Sequence, residues 1–128
     1  MADEKILMVN LAVTDMAKAK AFYAEQLGWA VTKDFGHGDH HWVSLELPGG
    51  GASLTLTTMH GEMKPGAMQY YLSTANIETT YNEFKSKGVG VNDVQDDLYG
   101  PGSGVKWFSL SDPDGNTWLM VQSEHGPR

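Results

Sequence analysis

Residues 6–28, ILMVNLAVTDMAKAKAFYAEQLG, decide how this chain folds. Leu7, Val9, Leu11 and Val13 alternate with Met8, Asn10 and Ala12, the period of a strand with one apolar face. Asp15 stands where a helix N-cap is needed. Met16, Ala19, Phe22, Tyr23 and Leu27 then recur at helical spacing, and Gly28 supplies the stop. Three strand-like runs follow over 29–35, 41–47 and 52–58, parted by glycine-rich turns at Gly36–Gly38 and Pro48–Gly51.

The same order then returns. Residues 68–74, MQYYLST, read as a strand, Asn76 as an N-cap, and Ile77, Tyr81 and Phe84 as one helix face that ends at Gly88. Strands are predicted near 89–95, 105–111 and 117–122. Asp112-Pro113-Asp114-Gly115-Asn116 makes the tight turn between the last two. Trp42 and Trp107 fall in corresponding third strands, so the chain repeats itself with a period of about 60 residues. The prediction is an α+β fold. Two tandem βαβββ units, 5–58 and 68–122, are joined by a linker over 59–67. They form a curved, cup-like mixed sheet with the helices on the outer face. One unit alone buries a single face of its sheet, so the two are expected to act as one domain over 1–128.

The chain has 128 residues, 41% of them hydrophobic, enough for one core. No apolar run approaches the roughly 18 residues of a membrane-crossing helix, so no membrane partner is expected. Met1–Lys5 is polar and acidic, unlike a signal peptide, which predicts a cytoplasmic location. The absence of cysteine excludes disulfides, zinc–thiolate sites and a cysteine nucleophile. A formal charge of −7 argues against nucleic acid and slightly favours cationic ligands.

Strand alternation sorts the side chains into two faces. Toward the helices go Leu7, Val9, Leu11, Val13, Val43, Leu45, Leu47, Leu54, Leu56, Met68, Tyr70, Leu72, Phe108 and Leu110. The opposite face takes Met8, Asn10, Trp42, Ser44, Glu46, Ser53, Thr55, Thr57, Gln69, Tyr71, Ser73, Trp107, Ser109, Thr117 and Leu119. Large aromatics among small hydroxyls and amides are the lining of a small-molecule pocket. Exposed tryptophan without a partner is uncommon, which argues against a plain solvated face.

The segments Asn10-Leu11-Ala12-Val13-Thr14-Asp15, Phe22-Tyr23 and Leu27-Gly28 resemble the start of a vicinal oxygen chelate domain. Phe108-Ser109-Leu110-Ser111-Asp112-Pro113-Asp114-Gly115-Asn116 resembles its second signature. The superfamily includes glyoxalase I, bleomycin-resistance proteins, fosfomycin-resistance enzymes and extradiol dioxygenases, and the resemblance covers residues 5–122. It implies a divalent metal held by His, Glu or Gln at four inner-face positions, which here fall on Met8, Thr55, Gln69 and Leu119. Only Gln69 is a ligand type. A thioether is a poor ligand for hard divalent ions, and leucine is none. The resemblance therefore points to the metal-free bleomycin-resistance members, which are dimers that sequester a drug unaltered.

Other groupings are weaker. His37, His40 and His41 cluster beside Asp39, at no spacing that matches a metal motif. Gly49-Gly50-Gly51 lacks the Lys-Ser/Thr and helix start of a phosphate loop. Residues 96–104, DDLYGPGSG, read as a flexible loop that is either simply solvated or carries Tyr99 as a lid that stacks on a ligand. Glu46 is a partner for a cationic ligand or simply exposed.

The expected function is metal-independent binding and sequestration of a drug or metabolite by a homodimer of the bleomycin-resistance type, without cofactor or catalytic residues. Its ligand site is Met8, Asn10, Trp42, Ser44, Glu46, Thr55, Gln69, Tyr71, Tyr99, Trp107, Ser109 and Leu119. Two alternatives stand beside it. One is a metal-dependent glyoxalase-type lyase or isomerase with its metal displaced to the histidine cluster. The other is a non-catalytic interaction domain.

Overall fold

A computed structural model describes residues 3–59 and 61–123. The chain separates into two compact units, with the division between Gly66 and Ala67. His60, inside the expected linker, lies outside the described residues.

In the first unit β1 (Met8–Ala12) leads into α1 (Met16–Lys20). Then come β2 (Ala30–His37), β3 (His40–Glu46) and β4 (Ser53–Thr57). The sheet order is β1-β4-β3-β2, with β1 parallel to β4 and the other pairs antiparallel. The second unit holds β5 (Gln69–Thr74), α2 (Ile77–Ser86), β6 (Trp107–Ser111) and β7 (Thr117–Gln122). Its order is β5-β7-β6, with β5 parallel to β7. The fold is α+β with two sheets.

Both helices start as the sequence predicts. Asp15 Oδ1 accepts from Lys18 N–H at 3.1 Å, and Asn76 Oδ1 from Thr79 N–H at 3.2 Å. Both stop at a glycine of positive φ, Gly28 at 80° and Gly88 at 82°. After α2, Gly88 N–H donates to Lys85 O and Val89 N–H to Phe84 O, the bond pair of a Schellman cap.

The first helix differs in its second half. Ala21–Gln26 is π-helical, and Leu27 N–H reaches back five residues to Phe22 O at 3.0 Å. Twelve residues, 16–27, separate cap from glycine in the first unit, against eleven, 77–87, in the second. The wider turn absorbs the extra residue and keeps Phe22 and Tyr23 buried.

Each core lies between a sheet and its helix. In the first unit Leu11, Val13, Ala19, Tyr23, Val43, Leu45 and Leu56 are fully buried. Tyr23 stacks on Trp29 and meets Phe22 edge-on. In the second, Phe108 sits between Tyr81 and Phe84, while Tyr70 packs against Trp118. Each fully buried aliphatic or aromatic side chain contributes about 1.5–3 kcal/mol. The turn Asp112–Asn116 is anchored from inside. Asp112 accepts from Asn116 through both carboxylate oxygens, and Asn116 Oδ1 accepts from Met68 N–H at 3.0 Å. That ties the turn to the start of β5.

Three expectations are corrected. Leu7 is not core: it is 73% exposed. Burial along β1 rises toward its C-terminal end, so the helix layer does not reach Leu7. The turn between β2 and β3 is Gly38-Asp39, and Gly36 belongs to β2. The predicted strand over 89–95 is reduced to isolated bridges, Val91 with Leu110 and Gln95 with Trp107. Between those bridges three residues, 92–94, face two, 108–109, and this mismatch breaks the ladder. Asn92 fills the gap with its side chain, whose Oδ1 accepts from Ser109 N–H.

Candidate functional site

Ladder register assigns the face away from the helices. In the first sheet Met8, Asn10 and Ala12 stand beside Ser53, Thr55 and Thr57. Trp42 and Ser44 stand beside Thr57 and Thr55, and Glu46 continues the same side of β3. In the second sheet Gln69, Tyr71 and Ser73 stand beside Thr117, Leu119 and Val121. Trp107, Ser109 and Ser111 complete that face.

The two faces correspond rung by rung. Trp42 shares a rung with Thr57 and Ala12, and Trp107 shares the equivalent rung with Val121 and Ser73. Met8 and Gln69 occupy the first rung of each sheet, Thr55 and Leu119 the third. These are the four positions the family resemblance assigns to a metal. Thr55 is buried, and its hydroxyl meets Met8 Sδ at 3.6 Å. A thioether, a hydroxyl, an amide and an alkyl group do not make a donor set for a hard divalent ion.

The sequence reading misses Phe35. It lies opposite Trp42 across β2 and β3, stacks on it at 5.6 Å with 21° between planes, and is 68% exposed. Lys33 joins the same face opposite Ser44. The bulge between Val31 and Lys33 and the turn at Gly38-Asp39 set this parity. Reading the turn as Gly36–Gly38 hides it.

In the second sheet two face residues are held from the side by the irregular segment that replaces the expected strand. Trp107 Nε1–H donates to Asp97 Oδ1 at 2.9 Å, and the Ser109 hydroxyl donates to Asn92 Oδ1 at 3.1 Å. The loop 96–104 carries its own bonds, Leu98 N–H to Val105 O and Gly100 N–H to Asp97 O. Tyr99 and Tyr71 are exposed.

The histidine cluster is dispersed. His37 and His40 oppose each other at the hairpin end, while alternation turns His41 to the other face. There His41 Nε2 meets Asp34 Oδ1 at 2.6 Å, and Lys20 pairs with the second Asp34 oxygen. The hydrogen bonds from Lys20 and then His41 hold the Asp34 carboxyl below its ordinary value, while burial raises the Tyr70 phenol. Among the described residues no three His, Asp or Glu side chains are placed to hold a metal ion. A polar cleft of about 490 Å³ opens at this end of the first unit, between Val13–Met16, the turn Gly38-Asp39, His41 and Thr58. None of the twelve expected ligand residues lines it.

Comparison with known proteins gives a family and several neighbours. The sequence model of the Glyoxalase/Bleomycin resistance protein/Dioxygenase superfamily matches residues 5–120. An uncharacterised Bacillus subtilis protein, YurT, is 29% identical over 97 residues, covering 66% of this chain and 76% of its own. TnmS3 from Streptomyces sp. CB03234, described as an antibiotic binding protein, superposes with a TM-score of 0.83 at 26% identity, covering 97% of this chain and 99% of its own. A glyoxalase/bleomycin resistance protein from the same organism gives a TM-score of 0.76 at 26% identity, covering 93% and 100%.

Proposed function

The chain belongs to the Glyoxalase/Bleomycin resistance protein/Dioxygenase superfamily, and from that membership and its two sheet faces we propose that it binds and sequesters a small molecule, a drug or metabolite, without a metal ion. The observation that carries this reading is the character of the faces. One presents Trp42 stacked on Phe35. The other presents Trp107 with an exposed Tyr71. Around them stand the exposed amides of Asn10 and Gln69 and the half-buried Ser109 hydroxyl, with Ser44 and Thr55 buried on the first face, groups that orient a ligand rather than activate one. The antibiotic-binding TnmS3, similar over nearly the whole chain, supports a ligand of this kind. Met8, Thr55 and Leu119 at the metal positions support binding without an ion.

Stacking on each tryptophan adds about 0.5–1.5 kcal/mol beyond area burial. The hydroxyls and amides then choose among planar ligands by leaving a mismatched polar group unpaired. The protein acts as a homodimer, and the exposed Ile6, Leu7 and Met8 beside the edge strand β1 are the surface that would associate.

The test is calorimetric titration of chelator-treated protein with planar aromatic and cationic drugs, bleomycin among them. At least one compound binds saturably, with the same Kd whether or not zinc or manganese is added. Trp42→Ala and Trp107→Ala each weaken it about tenfold or more. Binding that appears only with metal, or no binding across the panel, overturns the reading.

A further inference from the structure

The segment 91–97 takes the place that the regular strand β2 holds in the first unit, and its side chains work on one face of β6. Asn92 holds Ser109, Asp97 holds Trp107, and Gln95 exchanges both backbone bonds with Trp107. The equivalent tryptophan, Trp42, is held instead by the ring of Phe35. The two sheet faces therefore differ in charge. The first sheet puts both Lys33 and Glu46 on its face. The three strands of the second put none there: Gln69, Tyr71, Ser73, Trp107, Ser109, Ser111, Thr117, Leu119 and Val121 are all neutral. Lys106, next to Trp107, turns to the helix side and pairs with Glu78. The Asp97 carboxylate places a formal negative charge at the Trp107 ring.

That hydrogen bond changes what the ring offers. It uses the single donor of the indole, so Trp107 presents a ligand with its π-face and no N–H. Donation to an anion also pushes electron density into the ring, which strengthens attraction for a cation over that face. We propose that Asp97 and Trp107 form a cation-receiving subsite, with Asp97 the residue that positions the indole and sets the charge preference. The ligand group it takes is a positively charged nitrogen, quaternary or protonated, attached to a planar or compact frame. This rests on the binding function proposed above and deepens it.

The test compares quinoline with N-methylquinolinium, nearly the same frame without and with a fixed charge, by equilibrium dialysis at neutral pH. The unaltered protein binds the cation about 3- to 30-fold more tightly. Asp97→Asn keeps an acceptor for the indole but removes the charge, and brings the ratio to within about twofold. Asp97→Ala also frees the indole and weakens both probes. Glu83→Gln, an exposed change on α2 that alters net charge equally, leaves the ratio in place. Retention of the cation preference in Asp97→Asn overturns the subsite while leaving the binding function standing. Equal loss in Glu83→Gln reduces the preference to net charge and overturns it too. If neither probe binds and no drug of the panel does, both readings fall. If the panel binds but neither probe does, only the subsite falls.

Discussion

Asp34 shows how a residue with no place in the ligand face still matters. It lies on the helix side of β2 and receives Lys20 from α1 and His41 from β3, so one carboxylate links three elements. The three side chains are partly exposed, and water and salt screen the pair, so the contribution to stability is small. Its sign is nevertheless fixed. The folded-state pKa lies below the ordinary 3.8, so the contribution is complete above the carboxylate range and disappears as pH falls through the depressed value. Asp34→Asn is expected to lower the Tm by roughly 1–3 °C at neutral pH and low salt. The difference closes below about pH 4. Paired thermal melts from pH 3 to pH 8 check this, and a gap that widens in acid contradicts the assignment. Nothing in the sequence pointed to this trio, because Lys20, Asp34 and His41 meet only through the parity of a hairpin whose turn had first to be located.

The hairpin itself carries a second prediction, at the scale of the element. Gly36 and Gly38 both have positive φ, 84° and 57°. A Cβ at Gly38 meets nothing, whereas one at Gly36 falls 1.8 Å from the carbonyl oxygen of His40. Gly38→Ala therefore bears the left-handed backbone cost alone, about 1–2 kcal/mol. Gly36→Ala adds a collision with backbone that cannot move without breaking the pair to His41, and is expected to cost at least about 3 kcal/mol. Urea unfolding of the two variants separates them, and equal losses would refute the register. What was legible in the sequence follows the same logic. Alternation, caps and stop glycines locate both helices and every strand except one, because each signal is local and repeated. The exception, 89–95, fails because its partner strand is one residue too short for it, a property of the pair and not of either segment. Phe35 and Asp97, which hold the two tryptophans, were missed for the same reason. Each acts across a pairing whose register depends on a bulge or an irregular segment.

For the molecule as a whole, the exposed apolar residues and the charge of −7 pull in opposite directions. Like charge keeps copies apart, while Ile6, Leu7 and Met8, leading into the edge strand β1, favour association. If the homodimer forms through these residues, salt strengthens it, because screening weakens the repulsion and leaves the apolar contact intact. The Tm should then rise with protein concentration, as mass action requires of a folded dimer. Leu7→Lys tests the surface directly. Its side chain is exposed, so the substitution leaves each unit's core untouched and acts only on assembly. Sedimentation of the unaltered protein should show a dimer that tightens from 50 mM to 500 mM salt. Leu7→Lys should sediment as a monomer whose Tm no longer depends on concentration and whose affinity for the panel's best ligand falls. A dimer that survives Leu7→Lys places the interface elsewhere. A monomer that still binds ligand with full affinity separates assembly from binding, and leaves the two sheet faces sufficient on their own.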